Sequence, residues 1–257
     1  MKASKSQFLF SILSFLTLVC TSTNSIASPQ GLLENSRQML LVTVPQLNDY
    51  HATLRLYQRA SVNGRWQLSS IDGQQSIPAV IGKNGLAWSA SLKDKPTNMS
   101  YKKEGDGRTP VGAFALPEAF GISNSPHPFM PYIHVDSNTV CVDDSNSNSY
   151  NKVVNKSLPN LRQDWSSAEQ MADAVPMYNA GLIVSYNPKN EAGKGSCIFV
   201  HQWRSPNAGT AGCTAMDSKD ITYLVSHLKK VDKPVLVVLP TGEYSSFDSK
   251  WGLPALS

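Results

Sequence analysis

Short apolar runs and alternating apolar and polar stretches dominate the chain between residues 39 and 88. Residues 53–59 alternate between apolar and polar side chains, which is typical of a half-buried strand. The Asn63-Gly64 pair is a hairpin turn signal, and a second Asn-Gly pair at residues 84–85 repeats it. This pattern predicts a β-meander whose strands cover residues 39–44, 53–59, 65–68, 77–82 and 85–88.

Apolar runs bounded by Gly, Pro or Asn continue along the rest of the chain and predict further strands. A short helix is predicted over residues 166–171, because Ser166 suits the N-cap and Trp165 precedes it in a staple-like position. The predicted fold class is therefore mainly β with a few helices (α+β). The later predicted strands cover residues 111–116, 181–187, 197–200 and 234–240.

An amphipathic helix is predicted close to the C-terminal end of the sequence. Apolar residues recur at positions i, i+3, i+4 and i+7 from Ile221 to Leu228, which places them on one helix face. Asp217 or Ser218 is a natural N-cap for this helix. The helix-like character begins at Thr214, so we expect a helix N-terminus close to the preceding cysteine.

The first 27 residues have the parts of a secretory signal. Two early lysines give a positive start, and residues 8–19 form an apolar core that is too short for a comfortable membrane span. Small residues at positions 25 and 27 suit a cleavage site. We expect an exported protein with one domain over residues 28–257 and no stable membrane span after cleavage; a lipid-modified Cys20 and a retained anchor helix are the alternatives.

The charge pattern argues against a nucleic-acid partner. The chain has 23 Lys and Arg against 19 Asp and Glu, a formal net charge of +4. The basic residues form no stripe interleaved with aromatic side chains, as nucleic-acid binding would require. A mildly basic exported protein could be attracted to anionic cell-wall polymers, although a solvated surface explains the charge equally well.

Residues 195–216 carry the candidate chemistry. His201 follows the predicted strand 197–200, and a loop rich in turn residues then leads to Gly212 and Cys213. A cysteine thiolate attacks carbonyl carbon well, and a nearby imidazole can take the thiol proton. The glycine allows close backbone approach and leaves room for an oxyanion hole. The alternative is an inert buried cysteine beside a strand-end histidine.

Three stretches together resemble the L,D-transpeptidase (YkuD-like) catalytic domain family. The first is His201-x-Trp203, a short loop and then Thr-Ala-Gly-Cys-Thr-Ala-Met at residues 210–216. The others are residues 102–114 and 141–151. The resemblance covers roughly residues 79–240 and implies a β-sandwich or mixed-sheet catalytic domain with its core in that range.

The resemblance implies acyl transfer on peptidoglycan stem peptides in the periplasm. Cys213 would attack the carbonyl of the diamino-acid residue of a tetrapeptide stem and expel the terminal D-Ala. His201 would act as the base, the backbone carbonyl of Gln202 would fix its tautomer, and backbone N–H groups at Gly212 and Cys213 would hold the oxyanion. An amine, a protein lysine or water would resolve the thioester. No metal or organic cofactor is required.

Four further residues are predicted to bind substrate. Arg108 or Lys103 is placed at the rim of the site, where the Arg108 guanidinium could hold a stem-peptide carboxylate bidentately; the alternative is a charged loop tip in water. Tyr150, Trp203 and Thr210 are assigned to the groove because they belong to the resembling stretches. The resemblance also places the insertion at residues 123–160 beside the site as a lid-like element.

The predicted export makes a disulfide bond possible among the cysteines. After the predicted signal, Cys141, Cys197 and Cys213 remain, and an odd count in an oxidising compartment leaves one thiol free if two pair. A Cys141–Cys197 disulfide would leave Cys213 reactive, whereas both could equally be buried free thiols. A zinc site formed by Cys197, His201, Cys213 and His227 is a weaker alternative, because only one end has closely spaced ligands.

Two positions depart from the pattern of many family members. Ala211 stands where they carry His or Ser, and Ala215 stands where they carry Arg. The departures leave the acyl acceptor open. An L,D-carboxypeptidase or amidase that hydrolyses the stem peptide, or a stem-to-protein link, is therefore an alternative. A non-catalytic wall-binding module with the same fold is another.

Overall fold

In the computed structural model, the described residues form mostly β-structure, in two sheets, with three α-helices. The mainly β fold class with few helices is confirmed. The predicted secretory signal and Cys20 lie outside the described residues. The described residues are 28–90, 92, 95–123 and 129–256.

A mixed sheet of 12 strands and a separate sheet of three strands make up the described fold. The strands are β1 (Gln38–Val44), β2 (His51–Gln58), β3 (Gln67–Ser69), β4 (Ile77–Val80), β5 (Leu86–Trp88), β6 (Thr109–Ala115), β7 (Ala119–Gly121), β8 (Tyr132–His134), β9 (Thr139–Val142), β10 (Val153–Asn155), β11 (Ala168–Gln170), β12 (Ala180–Ile183), β13 (Phe199–Gln202), β14 (Thr214–Met216) and β15 (Val235–Pro240). In the large sheet they follow the order β5-β6-β15-β1-β2-β4-β14-β13-β12-β7-β8, with β3 added on β2, and the small sheet has the order β10-β9-β11.

Strands β1 and β15 form the buried centre of the large sheet. Every residue of both strands is buried. They pair in parallel, with Met39 opposite Val235 and Val44 opposite Pro240, and β2 pairs antiparallel on the other side of β1. Continuous apolar runs of this kind are expected where a strand is covered on both faces.

The helices cover the sheet and the C-terminal end of the described chain. Helix α2 buries Ile221, Leu224 and Val225, so the predicted apolar face is confirmed. Asp217 caps the helix by accepting a hydrogen bond from the N–H of Lys219 at 3.1 Å, as predicted. No helix of the described residues is long and apolar enough to cross a membrane. The helices are α1 (Pro29–Asn35), α2 (Ser218–His227) and α3 (Ser245–Trp251), and short 3-10 helices cover Met171–Ala174, Lys230–Asp232 and Thr241–Glu243.

The first predicted hairpin is present and the second is not. Strands β2 and β3 pair antiparallel around Asn63-Gly64, with Tyr57 opposite Leu68. Strand β5 instead pairs in parallel with β6. The N–H of Leu86 donates to the carbonyl of Leu47, and Gly85 lies so close to that carbonyl that an added Cβ would be 2.1 Å from it. Contacts with the β1–β2 connection therefore direct this segment away from β4.

The helix predicted over residues 166–171 is wrong. Residues Ala168–Gln170 form strand β11, which pairs antiparallel with β9. Ser166 does not act as an N-cap, because its N–H and its hydroxyl both donate to a carboxylate oxygen of Asp144, at 2.8 and 2.7 Å. The edge of β9 was free to accept another strand, and this long-range pairing outweighs the local capping signal.

The small sheet is tied to the large one by a disulfide. Cys141 on β9 bonds Cys197, just before β13, with a Cα–Cα distance of 6.0 Å. The predicted Cys141–Cys197 pairing is confirmed. Among the described residues, Cys213 is the free cysteine, and it is buried.

Candidate active site

Cys213 and His201 line one cavity of about 430 Å³. His201 lies within β13, and Cys213 immediately precedes β14. The two strands pair in parallel, with His201 opposite Ala215. In a parallel pair the connection returns from the end of β13 to the start of β14, so Cys213 stands one residue before the Val200–Thr214 pair. Both side chains line the cavity.

No helix begins directly after Cys213, contrary to the prediction. Residues Thr214–Met216 form strand β14, and helix α2 begins at Ser218. Pairing with β13 holds these residues extended, because Val200 lies opposite Thr214. A helix N-terminus directly after Cys213 is therefore not available to stabilise a thiolate.

The His201 ring is held by its own strand and by one aromatic neighbour. Its Nδ1 lies 2.7 Å from the backbone carbonyl of Gln202. A carbonyl only accepts, so Nδ1 carries the hydrogen and Nε2 keeps a free lone pair. The Tyr178 ring packs against the imidazole edge-on at 5.1 Å. Burial lowers the pKa of His201 to about 4, so the imidazole is neutral at neutral pH.

The Cys213 thiol has two backbone partners. Its Sγ accepts a hydrogen bond from the N–H of Phe199 at 3.3 Å and donates to the carbonyl of Cys197 at 3.5 Å. Burial raises the pKa of Cys213 to about 12, and the charge of Glu169 adds to the effect, while the Phe199 N–H and Lys102 oppose it. The thiol and the imidazole that line this cavity are therefore both neutral at rest.

The pH dependence of Cys213 alkylation follows from this burial. We expect the rate of modification by iodoacetamide to rise without levelling between about pH 8 and about pH 10, because only the thiolate reacts and its pKa is raised. The measurement is peptide mapping of Cys213 by mass spectrometry as a function of pH. The same protein in urea provides the control, since its exposed thiol should level off near the ordinary pKa. A plateau at or below pH 8 in the folded protein would contradict the expectation.

Hydroxyl groups of two threonines hold the turn at Gly212 and Cys213. The Thr210 hydroxyl accepts from the N–H of Gly212 at 3.0 Å and donates to the carbonyl of Cys213 at 2.7 Å. The buried Thr109 hydroxyl donates to the carbonyl of Gly212 at 2.8 Å and accepts from the N–H of Gly82 at 2.8 Å. Gly212 has φ +152°, a conformation that other residues rarely adopt. The turn is thus fixed from both sides.

Replacing Thr109 with valine should loosen this turn. The buried carbonyl of Gly212 and the N–H of Gly82 would both lose a partner, and we expect the free energy of unfolding to fall by about 1–3 kcal/mol. Urea denaturation checks the value. Thr109→Ser keeps the hydroxyl and is the matched control. Equal stability of the valine and serine variants would show that the hydroxyl does not hold the turn.

Of the four residues predicted to bind substrate, Thr210 lines the cavity. Arg108 does not, because its Nη1 donates to Asn48 and to the carbonyl of Leu86, each at 3.0 Å. Tyr150 is buried, with its hydroxyl donating to Glu104. Trp203 also does not line the cavity, and its N–H donates to the carbonyl of Met216 at 2.7 Å.

Several residues that sequence analysis did not single out do line the cavity. Tyr178 donates a hydrogen bond from its hydroxyl to Glu169 at 2.6 Å, and desolvation raises the pKa of that carboxyl. Glu169 was hidden because its segment was assigned to a helix. The insertion at residues 123–160 contributes Asp143 to the cavity wall. Arg204 follows the His-x-Trp pattern directly, and Lys102, Glu104 and Asp143 lie within the other two resembling stretches, so these four positions carried a signal. The charged and aromatic cavity residues missed are Lys102, Glu104, Asp143, Glu169, Tyr178 and Arg204.

The alternative zinc site is wrong. Cys197 is oxidised in the disulfide and cannot act as a thiolate ligand. His227 lies on helix α2, where its ring stacks on Tyr223 at 3.8 Å. Among the residues that the structure describes, no group of three or more His, Cys, Asp or Glu side chains could hold a metal ion.

Comparison with known proteins identifies the family. The model of the YkuD family, the L,D-transpeptidase catalytic domain, matches residues 63–237. The chain therefore belongs to the YkuD family of L,D-transpeptidase catalytic domains, and the resemblance in its sequence is confirmed. Strands β1 and β2 precede the matched range, although they pair within the same sheet.

One solved structure is similar to this chain. It is the crystal structure of L,D-transpeptidase 3 from Mycobacterium tuberculosis in complex with a faropenem-derived adduct. The sequence identity is 10% and the TM-score is 0.34; the match covers 79% of this chain and 60% of the other. The chain thus spans less than two thirds of the length of that protein. No curated protein sequence matches this one.

Proposed function

We propose that this chain is an exported cysteine acyltransferase that acts on peptidoglycan stem peptides. Membership of the L,D-transpeptidase family supports the substrate class. The observation that carries the proposal is the 2.7 Å bond from His201 Nδ1 to the Gln202 carbonyl. This bond leaves Nε2 as the basic nitrogen, in the same cavity as the only free thiol of the described residues.

In the proposed reaction, Sγ of Cys213 attacks the carbonyl carbon of the diamino-acid residue of a tetrapeptide stem. A bond forms between Sγ and this carbon, and the thiol proton passes to Nε2 of His201. The C–N bond to the terminal D-Ala then breaks, and the same proton moves from Nε2 to the departing amine. An amine of another stem then attacks the thioester carbon. A new C–N bond forms, the C–S bond breaks, and a proton of the attacking amine passes through His201 to Sγ of Cys213.

The neutral resting pair supports transfer of the proton during attack. A thiol with a pKa near 12 is almost fully protonated at neutral pH, and an imidazole with a pKa near 4 is almost fully neutral. His201 is therefore in the correct state to accept a proton. The thiolate would form only as the substrate carbonyl approaches, which limits side reactions of an exported thiol.

Backbone N–H groups at Gly212 and Cys213 are proposed to hold the oxyanion. The N–H of Gly212 donates to the Thr210 hydroxyl in the structure. This bond would be exchanged for one to the oxyanion as the tetrahedral intermediate forms. Gly212 supports the role, because its φ of +152° is one that residues with a side chain rarely adopt, and the turn that it forms sets the direction of these N–H groups.

Export to the periplasm is part of the proposal. The Cys141–Cys197 disulfide supports it, because such bonds persist in oxidising compartments and are rare in the cytosol. The proposed mature chain is a single catalytic domain over residues 28–257. Its core would include β1 and β2, which complete the centre of the sheet.

Mass spectrometry of the mature protein incubated with a disaccharide-tetrapeptide tests the proposed function. We expect loss of the terminal D-Ala, a transient adduct on Cys213, and dimers joined through the stems. Cys213→Ala should show neither adduct nor turnover. Tripeptide without dimers would assign the protein as an L,D-carboxypeptidase, and turnover by Cys213→Ala would overturn the proposal.

A further inference from the structure

The catalytic cavity has charged groups of both signs on its walls. Two basic side chains, Lys102 and Arg204, line it together with three carboxylates. These groups share the cavity with the thiol and the imidazole. Their charges therefore favour or disfavour the charged parts of a peptide that binds there. The carboxylates belong to Glu104, Asp143 and Glu169.

The positive charge of Lys102 is already balanced by a neighbouring carboxylate. Its side chain is 3% exposed, and its Nζ lies 2.6 Å from a carboxylate oxygen of Asp106. The same Nζ donates to the carbonyl of Lys103 at 2.8 Å. These bonds use the ammonium for the fold of residues 102–106, so it is not free to bind an anionic ligand.

Arg204 is the uncommitted cation of the cavity among the residues that the structure describes. It is exposed, and its guanidinium has no hydrogen bond or ion pair with the described residues. The backbone before it is fixed, because the N–H of Trp203 donates to Met216 and the N–H of Gln202 donates to Met177 at 3.2 Å. The unpaired guanidinium of Arg204 therefore extends from a hydrogen-bonded backbone, three residues after His201.

The three carboxylates accept hydrogen bonds from neutral hydroxyl groups. Glu169 accepts from Tyr178 at 2.6 Å, and Glu104 accepts from Ser196 at 2.8 Å. Asp143 accepts from Ser167 at 2.5 Å. No basic side chain in the described part of the chain lies within 4 Å of these carboxylates. When ionised, they repel an anion from their side of the cavity.

We propose that Arg204 is a specificity-determining residue that binds a carboxylate of the acyl-donor peptide; this inference rests on the proposed function. A guanidinium binds a carboxylate through two parallel hydrogen bonds, which fixes direction as well as position. The carboxylates on the other walls repel a peptide carboxylate, which also directs it towards Arg204. A stem peptide would therefore enter with one carboxylate at Arg204 and its cationic amine directed towards the acidic side chains.

When the diamino-acid residue is a diamino dicarboxylic acid, two carboxylates close to the bond that breaks have the required chemistry: the C-terminal one, and the one on the side chain of that residue. Both share the planar geometry that Arg204 would recognise. Amidating each group in turn distinguishes them, because an amide keeps the shape and removes the charge.

Binding to the Cys213→Ala protein tests the inference without depending on turnover. The ligands are the tetrapeptide with both carboxylates free, its C-terminal amide and its side-chain amide, measured by calorimetry. We expect Arg204→Gln to weaken binding of the free acid by about tenfold. One of the two amides should show the same loss with Arg204 present, and no additional loss in the Arg204→Gln protein.

Arg204→Lys keeps the charge but not the paired geometry, so its affinity should lie between those of the arginine and glutamine proteins. Arg65→Gln, at another exposed arginine that does not line the cavity, is the matched control and should bind like the parent. Equal affinity of the Arg204→Gln and parent proteins, an amide penalty that persists in Arg204→Gln, or no binding of any peptide would overturn the inference. Turnover of the wild-type protein reports separately on the proposed function.

Discussion

Replacing His201 with asparagine is expected to lower the rate of thioester formation by about 10²–10⁴-fold. The reason is that the buried imidazole is the proposed base for Cys213, and asparagine cannot take a proton. The measurement is the rate of adduct formation on Cys213 in a single turnover, followed by mass spectrometry. The Cys213→Ala protein defines the zero level.

The control for this substitution is His227→Asn. His227 lies on α2, where its Nδ1 contacts the carbonyl of Tyr223 at 2.8 Å, and it does not line the cavity. Its replacement should leave adduct formation unchanged. The wild-type rate should also persist below pH 6.5, since burial lowers the pKa of His201 to about 4. Equal rates for the two asparagine variants would rule out His201 as the base.

Removing the disulfide should have the largest effect on stability. Replacing Cys141 and Cys197 together with serine releases a connection across a sequence separation of 56 residues. We expect the free energy of unfolding to fall by about 2–4 kcal/mol, because the unfolded chain gains freedom. Urea denaturation, monitored by tryptophan fluorescence, gives the value.

Activity should fall in the same double variant even where it remains folded. The carbonyl of Cys197 accepts from the Cys213 thiol, and the N–H of Phe199 two residues later donates to it. Freeing Cys197 therefore loosens both partners of the nucleophile. Cys213→Ser, which keeps the disulfide, should retain wild-type stability. A double variant as stable and as active as the wild type would show that the bond is dispensable.

Local sequence patterns were sufficient to predict many of the strands and helix α2. The apolar runs that became β1 and β15 are long and bounded by turn residues, and the Asn63-Gly64 turn joins neighbouring strands. Patterns failed where a distant partner decided the outcome. Residues Ala168–Gln170 form a strand because they pair with the edge of β9. The spacing of residues within this segment gives no information about that distant partner.

The two proposed catalytic residues could be placed in one cavity from the sequence, whereas most of the cavity wall could not. His201, Gln202 and Cys213 lie in one short motif, so the chain itself brings them close. The cavity also takes residues from the small sheet and from the segment before β12, whose positions depend on tertiary pairing. Arg108 was misplaced because its loop was recognised but the direction of its side chain is set by Asn48, in a distant loop.

The pairing of β1 with β15 constrains how the protein can fold as it is made. Strand β1 is synthesised first in the large sheet, and its parallel partner β15 is synthesised last. The two cannot pair until β15 has been made, and β15 also joins β1 to β6. Until then, the largely apolar β1 has an unpaired edge, which is the kind of surface that aggregates. A nascent chain of this topology would benefit from a chaperone that keeps it unfolded until synthesis ends, and a premature stop before residue 235 would leave the sheet without the strand that joins β6 to β1.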